Sequence, residues 1–551
     1  MIITSLLVAG QIGATQQYPL GAVVSDQVLA SQIGAEILQK GGNAIDAAVA
    51  TGFALAVTFP AAGNIGGGGF MVYRSAKGET FALDYREIAP ASAFREMYLN
   101  KKGEPTPDSY LGHRASGVPG TVAGFYAAHQ KYGKLPWKDL IQPSVRLASQ
   151  GFKISAQLAD DLQNLAEKNK QFKGTWRIFG RSGQFYKGGE TFRQPELAKT
   201  LTHIRDQGAQ GFYTGETAKA IIQEMGKGDG LITEKDLTNY EPTFRQVMRG
   251  NYKGYEVLTM PPPSSGGVVL LMMLGMIEKD DLKSMGFNSS GTVHLMTETM
   301  KRCFADRAEY MGDPGFVQVP IVQLLDSQYL LKRRNEISLN RSTPADEIKP
   351  GLGKTNEKEH TTHFSVVDAE GNAVSNTYTL NDSYGSKVTV NEAGFLLNNE
   401  MDDFTSKPGS PNRYNLIQGE ANAIKPGKRP LSSMTPTILT KDGKLFLVLG
   451  SPGGPTIINT VFETILNVTV HGMSVQKAVS APRFHHQWLP DEIRMEPFAI
   501  SNDSVAMLKA KGHKFGIPTG QGSCQAILVG KDGNRQVGCD PRISSAGQAG
   551  Y

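Results

Sequence analysis

Cysteine is scarce in this chain: three in 551 residues, at 303, 524 and 539. A sparse, odd count with no Cys-x-x-Cys excludes a disulfide scaffold and a thiolate metal site. Cys524 and Cys539 could pair, or equally stand as buried thiols. Long apolar runs are also missing. None reaches the ~18 residues that would suggest a membrane-spanning helix, and the nearest, 47–60, is short and carries Thr and Gly. Charge of one sign is missing as well. Lys and Arg number 57 against 52 Asp and Glu, a net +5 spread over the whole length. With no long basic run, that balance argues for neither nucleic acid nor a membrane surface as partner. Histidines do not come at metal spacing: His360 and His363, like His485-His486, lack the i,i+4 helical separation with an acidic base. No metal and no cofactor is expected.

What is present is ordinary globular composition, 40% hydrophobic and 20% charged, in a chain long enough for several domains or one large layered domain. Glycine is abundant, at 62, and clusters in loops. The N-terminus, 1–14, resembles the apolar core and small-residue end of an export signal, shortened and without a basic lead; the alternative is a first strand. Residues 26–40 and 43–58 read as helices parted by Gly41-Gly42, the second apolar nearly all round and so buried. The glycine run 63–69 follows a helix and precedes a strand at 70–75. Phosphate loops have the opposite order, so close backbone packing is the better reading. A second strand is expected at 80–86, and helices at 155–168, 195–207 and 290–311. From 361 onward short strands follow at 361–368, 373–380, 394–398, 434–440 and 444–450.

The first two of these form a hairpin around Asp368-Ala369-Glu370-Gly371-Asn372, with Gly371 suited to a left-handed position. With Asp368 opposite Asn372, counting outward puts Thr361 opposite Thr379, and directly opposed side chains lie roughly 5 Å apart at Cβ. Upstream, 346–360 is polar, Pro/Gly-containing and non-periodic, an exposed loop. The chain thus enters a buried strand at the His360–Thr361 bond. A threonine there can attack its own preceding carbonyl, shift the chain from nitrogen to oxygen and be released by water. The freed α-amine, with a pKa of ~7.7–8.0 in model peptides, can then serve as base for its own hydroxyl. Taken alone, the stretch is equally a loop entering a strand.

Two later segments invite function. The long loop 404–430, with Tyr414 near its middle, suits a lid or a disordered insertion. The strand 444–450 runs into Ser451-Pro452-Gly453-Gly454-Pro455 and a helix at about 455–467. Glycine N–H groups at a helix N-terminus suit an oxyanion, and suit a tight turn equally well.

Several strings, in order and spacing, resemble the γ-glutamyltransferases (γ-glutamyl transpeptidases) of the N-terminal-nucleophile hydrolases. They are Thr361-Thr362-His363, Asn398-Asn399-Glu400-Met401-Asp402-Asp403-Phe404, Lys428-Arg429-Pro430-Leu431-Ser432-Ser433-Met434 and Ser451-Pro452-Gly453-Gly454. Asp84-Tyr85-Arg86-Glu87, Pro261-Pro262-Pro263-Ser264-Ser265-Gly266-Gly267 and Arg483-Phe484-His485-His486-Gln487-Trp488 add to them. The resemblance covers nearly the whole chain. It implies an α+β fold, a four-layer αββα sandwich. The precursor would be cut between His360 and Thr361 into a large subunit, 15–360, and a small one, 361–551, that stay together as a heterodimer.

It also implies the chemistry. Thr361 is the nucleophile that takes the γ-glutamyl group from glutathione or a related compound and passes it to water or to an amino acid or peptide. Thr379 contacts the nucleophile. Gly453 and Gly454 form the oxyanion hole. Arg86, Ser432 and Ser433 hold the donor α-carboxylate, for which a guanidinium fork and hydroxyls are suited. Asn381, Glu400 and Asp403 hold its α-amine, and Tyr414 is the lid. Taken singly, Arg86 reads as a surface partner of Glu87, and Asp402-Asp403 as turn acids. One departure is Pro455-Thr456, where many members have Ser-Arg. The family's bacterial members are mostly exported, which makes a periplasmic or secreted location the expectation. The competing readings are an acylase of the same superfamily acting on glutaryl or other amides, and an uncleaved binding protein on this fold.

Overall fold

The computed structural model describes residues 15–352, 362–407 and 420–551. The expected nucleophile and cleavage residues, His360 and Thr361, the lid residue Tyr414 and the expected export signal, 1–14, lie outside them.

Two seven-stranded antiparallel sheets face each other. One has the order Gly547–Gly550, Ala22–Ser25, Thr362–Val367, Ala373–Thr379, Gly68–Arg74, Thr80–Tyr85, Thr243–Arg245. The other runs Gln16–Tyr18, Arg535–Gly538, Gln525–Val529, Lys444–Gly450, Thr437–Lys441, Tyr255–Thr259, Met248–Tyr252. Helices cover each outer face. Val28–Gln39, Ala44–Thr58 and Thr121–Tyr132 pack on the first sheet, with Trp137–Gln150 against Ala44–Thr58, and Gly266–Met276 and Thr456–Thr469 pack on the second, with Ser290–Tyr310 against Gly266–Met276. A third apolar layer, with Val24, Phe70, Val72, Ile438, Val448 and Ile527, lies between the sheets. This is the expected αββα sandwich. Both sheets mix strands from before and after position 361.

The central hairpin has the expected register, from Thr362 opposite Tyr378 to Val367 opposite Ala373. Asp368 N–H donates to Asn372 O at 3.1 Å, and Gly371 takes the left-handed turn at φ +91°. Alternation fixes that register. Phe364, Val366, Val374 and Tyr378 enter the helix-side core. Val367 and Ala373 enter the layer between the sheets, and Ser365 and Ser375 bond the facing sheet at Gln525 O and Leu449 O. A slip of one residue would exchange the two sets, pushing polar groups into the apolar layer.

The helix Ala44–Thr58 is buried at every residue and begins at a capping box, Asn43 with Asp46. The 63–69 glycines pack against backbone: a Cβ at Gly67 would lie 1.9 Å from Thr379 O, and one at Gly66 2.2 Å from Leu396 O.

Three expectations need correction. Residues 394–398 form no strand; only the isolated Thr389–Leu396 bridge pairs there, because Gly394 is left-handed and the Asn398 side chain bonds Gly66 O and Gly117 O instead of a neighbour strand. The strand expected at 434–440 begins only at Thr437, since the chain before it is held by bonds from Ser264 Oγ and Ser265 to the carbonyls of Ser432 and Met434. The 346–360 stretch is not uniformly exposed. In its described part Ile348 is buried and Gly351 N–H donates to Asp306 Oδ1 at 2.7 Å, just after Ala345 is pinned by Asp491 and Trp488. The three cysteines are free thiols, Cys303 and Cys524 buried.

Candidate active site

The strand Ala373–Thr379 delivers the first group of site residues. At its end Thr379 Oγ1 accepts from Asn381 N–H at 2.7 Å, which curls the chain so that Asn381 sits at φ +74°. Asn381 Nδ2 donates to Asn399 O at 3.0 Å, leaving its buried Oδ1 without a donor among the described residues. Asn399 leads into the short turn Glu400–Asp403, wholly buried.

Arg86 follows the strand Thr80–Tyr85 and is completely buried. Its guanidinium donates to Glu400 through Nη1 and to Asp403 through Nη2. Nε reaches Pro430 O at 3.3 Å and Nη2 reaches Leu431 O at 3.0 Å. The two carbonyls are those just before Ser432. Glu87, 3.8 Å from Arg86, is equally buried, so the surface pairing that Arg86-Glu87 suggested is wrong: both point inward. Burial first, and the neighbouring Glu400 second, push the Glu87 carboxyl well above the usual range, against the pull of Arg86.

Ser432 and Ser433 are held from a direction the sequence did not disclose. Ser265 N–H and Oγ both donate to Ser432 O at 2.7 Å. Arg307, on the helix Ser290–Tyr310, donates from Nη2 to Ser433 Oγ and from Nε to Ser265 Oγ at 2.7 Å. Because the guanidinium only donates, the Ser433 hydroxyl hydrogen points elsewhere. The Ser264-Ser265 string carried a signal, having been noted without a role; Arg307 carried none, since a basic residue in a helix usually marks a solvated face.

Gly453 and Gly454 come from the opposite sheet. The strand Lys444–Gly450 lies across the hairpin: the His363 ring fills the space beside Gly450, where a Cβ would sit 2.4 Å from it. The turn beyond is left-handed at both glycines, φ +130° and +62°. The helix starts at Thr456, with Pro455 just before it. The turn therefore leaves the second sheet beside the start of the Thr362–Val367 strand. His363 itself is neutral. Ser365 Oγ gives its hydrogen to Gln525 O, so it accepts from His363 Nε2 at 3.0 Å, and Nδ1 accepts from Thr377 Oγ1 at 2.8 Å. Burial lowers the His363 pKa to about 3. His485 and His486 are engaged by Asn459 with Gln487, and by Asp491.

The structure thus gathers Thr379, Asn381, Glu400, Arg86, Asp403, Ser432 and Ser433 into one region, joined through Asn399 and through the Pro430 and Leu431 carbonyls on Arg86. A family model described as Gamma-glutamyltranspeptidase matches residues 30–550. The chain belongs to this family. A glutathione hydrolase proenzyme of Escherichia coli (strain K12) is 48% identical over 533 residues, covering 96% of this chain and 92% of the relative. The crystal structure of Helicobacter pylori gamma-glutamyltranspeptidase is 44% identical, with a TM-score of 0.59 over 62% of this chain and 97% of that one. A cephalosporin acylase from Bacillus halodurans is 26% identical, with a TM-score of 0.86 over 100% of this chain and 99% of that one. The γ-glutamyltranspeptidase frame makes this chain an enzyme and gives the sandwich its class, the N-terminal-nucleophile hydrolases.

Proposed function

We propose that this chain is a self-cleaving γ-glutamyltransferase that draws the γ-glutamyl group from glutathione or related γ-glutamyl amides and hands it to water, amino acids or peptides. Thr361 attacks the His360 carbonyl, and hydrolysis of the resulting ester leaves a large subunit, 15–360, and a small one, 361–551, as a heterodimer. The new α-amine then activates the Thr361 hydroxyl, with Thr379 as its neighbour. The γ-carbonyl is attacked, the oxyanion is met by the N–H groups of Gly453 and Gly454, and the amine leaves. Tyr414 covers the acyl-enzyme until the acceptor arrives. Residues 1–14 act as a shortened export signal, and the mature enzyme works in the periplasm or is secreted.

The observation that carries this reading is the buried Arg86 set between Glu400 and Asp403, with Ser432 two bonds beyond its carbonyl contact at Leu431. A free amino-acid head has cation and anion on one carbon, so its receptor needs acid and base side by side. Arg86, Ser432 and Ser433 suit the α-carboxylate; Glu400, Asp403 and the open Asn381 Oδ1 suit the ammonium. The Escherichia coli relative's description as a proenzyme supports maturation by cleavage.

Intact mass under denaturing conditions tests the proposal. Two polypeptides, the smaller beginning at Thr361, are expected, with Thr361→Ala remaining one inactive chain. Cleavage that persists in Thr361→Ala refutes the nucleophile. The likeness to a cephalosporin acylase keeps a glutaryl-type acylase as second reading. A glutaryl group has no α-amine for Asp403, so preference for glutaryl over γ-glutamyl anilides would decide for it.

A further inference from the structure

Asp26 is a buried carboxylate that the catalytic reading does not use. It follows the strand Ala22–Ser25 and is wholly shielded from solvent. Oδ2 accepts from Thr362 Oγ1 at 2.6 Å, and Oδ1 from Gln525 Nε2 at 2.8 Å. Ser523 Oγ is more distant, at 3.5 Å. Thr362 opens the strand that Thr361 precedes, whereas Gln525 opens a strand of the opposite sheet. One carboxylate therefore ties both sheets to the covalent neighbour of the nucleophile. Among the described residues none of its hydrogen-bond partners is a cation, and the charge of Asp540 that acts on it has the same sign. Burial raises its pKa to about 6 in spite of hydrogen bonds from Thr362, Gln525 and the His363 backbone N–H. Burying an unpaired acid costs free energy, and a tie between sheets does not require one. A carboxylate does offer something an amide does not, since it accepts on both oxygens. Thr362 is thereby obliged to donate toward Asp26, while Gln525 approaches from the other side.

We infer that Asp26 is a positioning residue: acting through the Thr362 hydroxyl, it fixes the residue bonded to the Thr361 nucleophile, both for chain cleavage and for turnover. The inference rests on the reading of Thr361 as nucleophile. Displacements of about 1 Å at a reacting group lower rates by up to ~10²-fold, so the effect is expected on rate and not on donor affinity.

The test compares wild type with Asp26→Asn, Thr362→Val, Thr362→Ser and the Asp26→Asn/Thr362→Val pair. Cleavage half-time is followed by intact mass from freshly purified precursor, and kcat and KM are measured on matured protein with a γ-glutamyl anilide. Asp26→Asn and Thr362→Val are each expected to slow cleavage and lower kcat about tenfold or more, with KM within about threefold. Thr362→Ser restores both rates, and the pair is no slower than its slower member. Asp26→Asn at the wild-type rates, multiplying losses in the pair, or a KM rising in step with the fall in kcat overturns the inference. If Asp26→Asn fails to fold, Thr362→Val against Thr362→Ser decides: a loss confined to Val supports it, and equal rates overturn it. A wild type that never parts at 360/361 overturns the Thr361 reading and this inference with it. A wild type that parts normally, beside variants equally fast, overturns this inference alone.

Discussion

Replacing Gly453 by alanine tests the oxyanion assignment at a single atom. Gly453 lies at φ +130°, a region closed to other L-residues. A Cβ there would stand 2.4 Å from Thr456 Oγ1 and 2.9 Å from Gly522 Cα. The hydroxyl could rotate away, losing its 2.7 Å bond to Gly453 O. Gly522 has less freedom: it is left-handed itself, at φ +62°, and a Cβ on it would meet Ser451 Oγ at 2.6 Å and Pro452 O at 2.9 Å. The turn must therefore rotate, and its N–H groups with it. Backbone strain of this kind costs about 1–3 kcal/mol, and removal of one oxyanion donor lowers kcat by ~10²–10³. The proposed contacts to the donor head lie elsewhere, at Arg86 and Asp403, so KM for a γ-glutamyl anilide is expected to stay within about threefold. The assay is steady-state release of the aniline by matured protein, with a thermal melt on the same sample. Adding Thr456→Ala removes the movable obstacle and leaves Gly522 in place, so it does not restore the rate. A kcat within about threefold of wild type, or recovery in the double variant, refutes the reasoning.

Asp403→Ala removes one of the two carboxylates on Arg86. It is expected to raise donor KM about 10- to 100-fold, the value of a charged hydrogen bond, while chain cleavage on a gel keeps its pace; an unchanged KM sinks the α-amine role. Arg307→Met keeps an unbranched stem as far as the Nε position but loses the bonds to Ser265 and Ser433, so donor KM is expected to rise about tenfold, and an unaltered value means that Ser433 needs no external orientation. His363→Gln changes how stability follows pH. The folded His363 pKa is depressed, so its contribution is full above pH 6.5 and is lost as pH falls toward 3. The stability gap between wild type and His363→Gln, both carrying Thr361→Ala, should narrow by about 2 kcal/mol from pH 7 to pH 5. Denaturant midpoints check this, and a gap that widens would show that His363 is charged in the fold.

The hairpin was readable because three signals agreed: alternation on both strands, a glycine where φ is +91°, and Asp368 facing Asn372 across the turn. Helices with caps or breakers were readable within a few residues, as Pro195–Gln207 shows. Much of the second sheet was not. Met248–Tyr252 and Tyr255–Thr259 are a short hairpin about Lys253-Gly254, and Tyr255–Thr259 and Gln525–Val529 are held in the sheet by Thr437–Lys441 and Lys444–Gly450, partners remote in sequence, which local pattern does not reveal. The site residues came from quoted strings, and their convergence needed the fold. Arg307 and Asp26 were illegible for one reason: each has the residue type of a solvated helix position. Asp26 even falls within the expected 26–40 helix, although the helix begins at Val28 behind a Gln27 cap.

The helix Ser290–Tyr310 buries the apolar side chains of Val293, Met300, Cys303 and Phe304. Its charged residues are buried as well: Glu298, Lys301, Arg302, Asp306 and Arg307. Each is engaged, and the partners fall into two groups. Arg307 reaches Ser433, in the proposed donor site. Glu298 accepts from Thr343 N–H at 3.1 Å, Lys301 donates to Thr343 O at 2.9 Å, and Asp306 accepts from Gly351 N–H. One rigid element therefore holds both the serine pair and the segment that leads toward the cut. A cut at 360/361 would leave the 343–351 segment bound to this helix, while the strand Thr362–Val367 stays in its sheet between Ala22–Ser25 and Ala373–Thr379. The described segments on the two sides of the cut would thus be held by different layers. Separation at the cut would then need no unfolding of the sandwich, and the proposed donor site, built from Arg86 and Arg307 on one side of position 361 and Glu400, Asp403 and Ser433 on the other, would survive it.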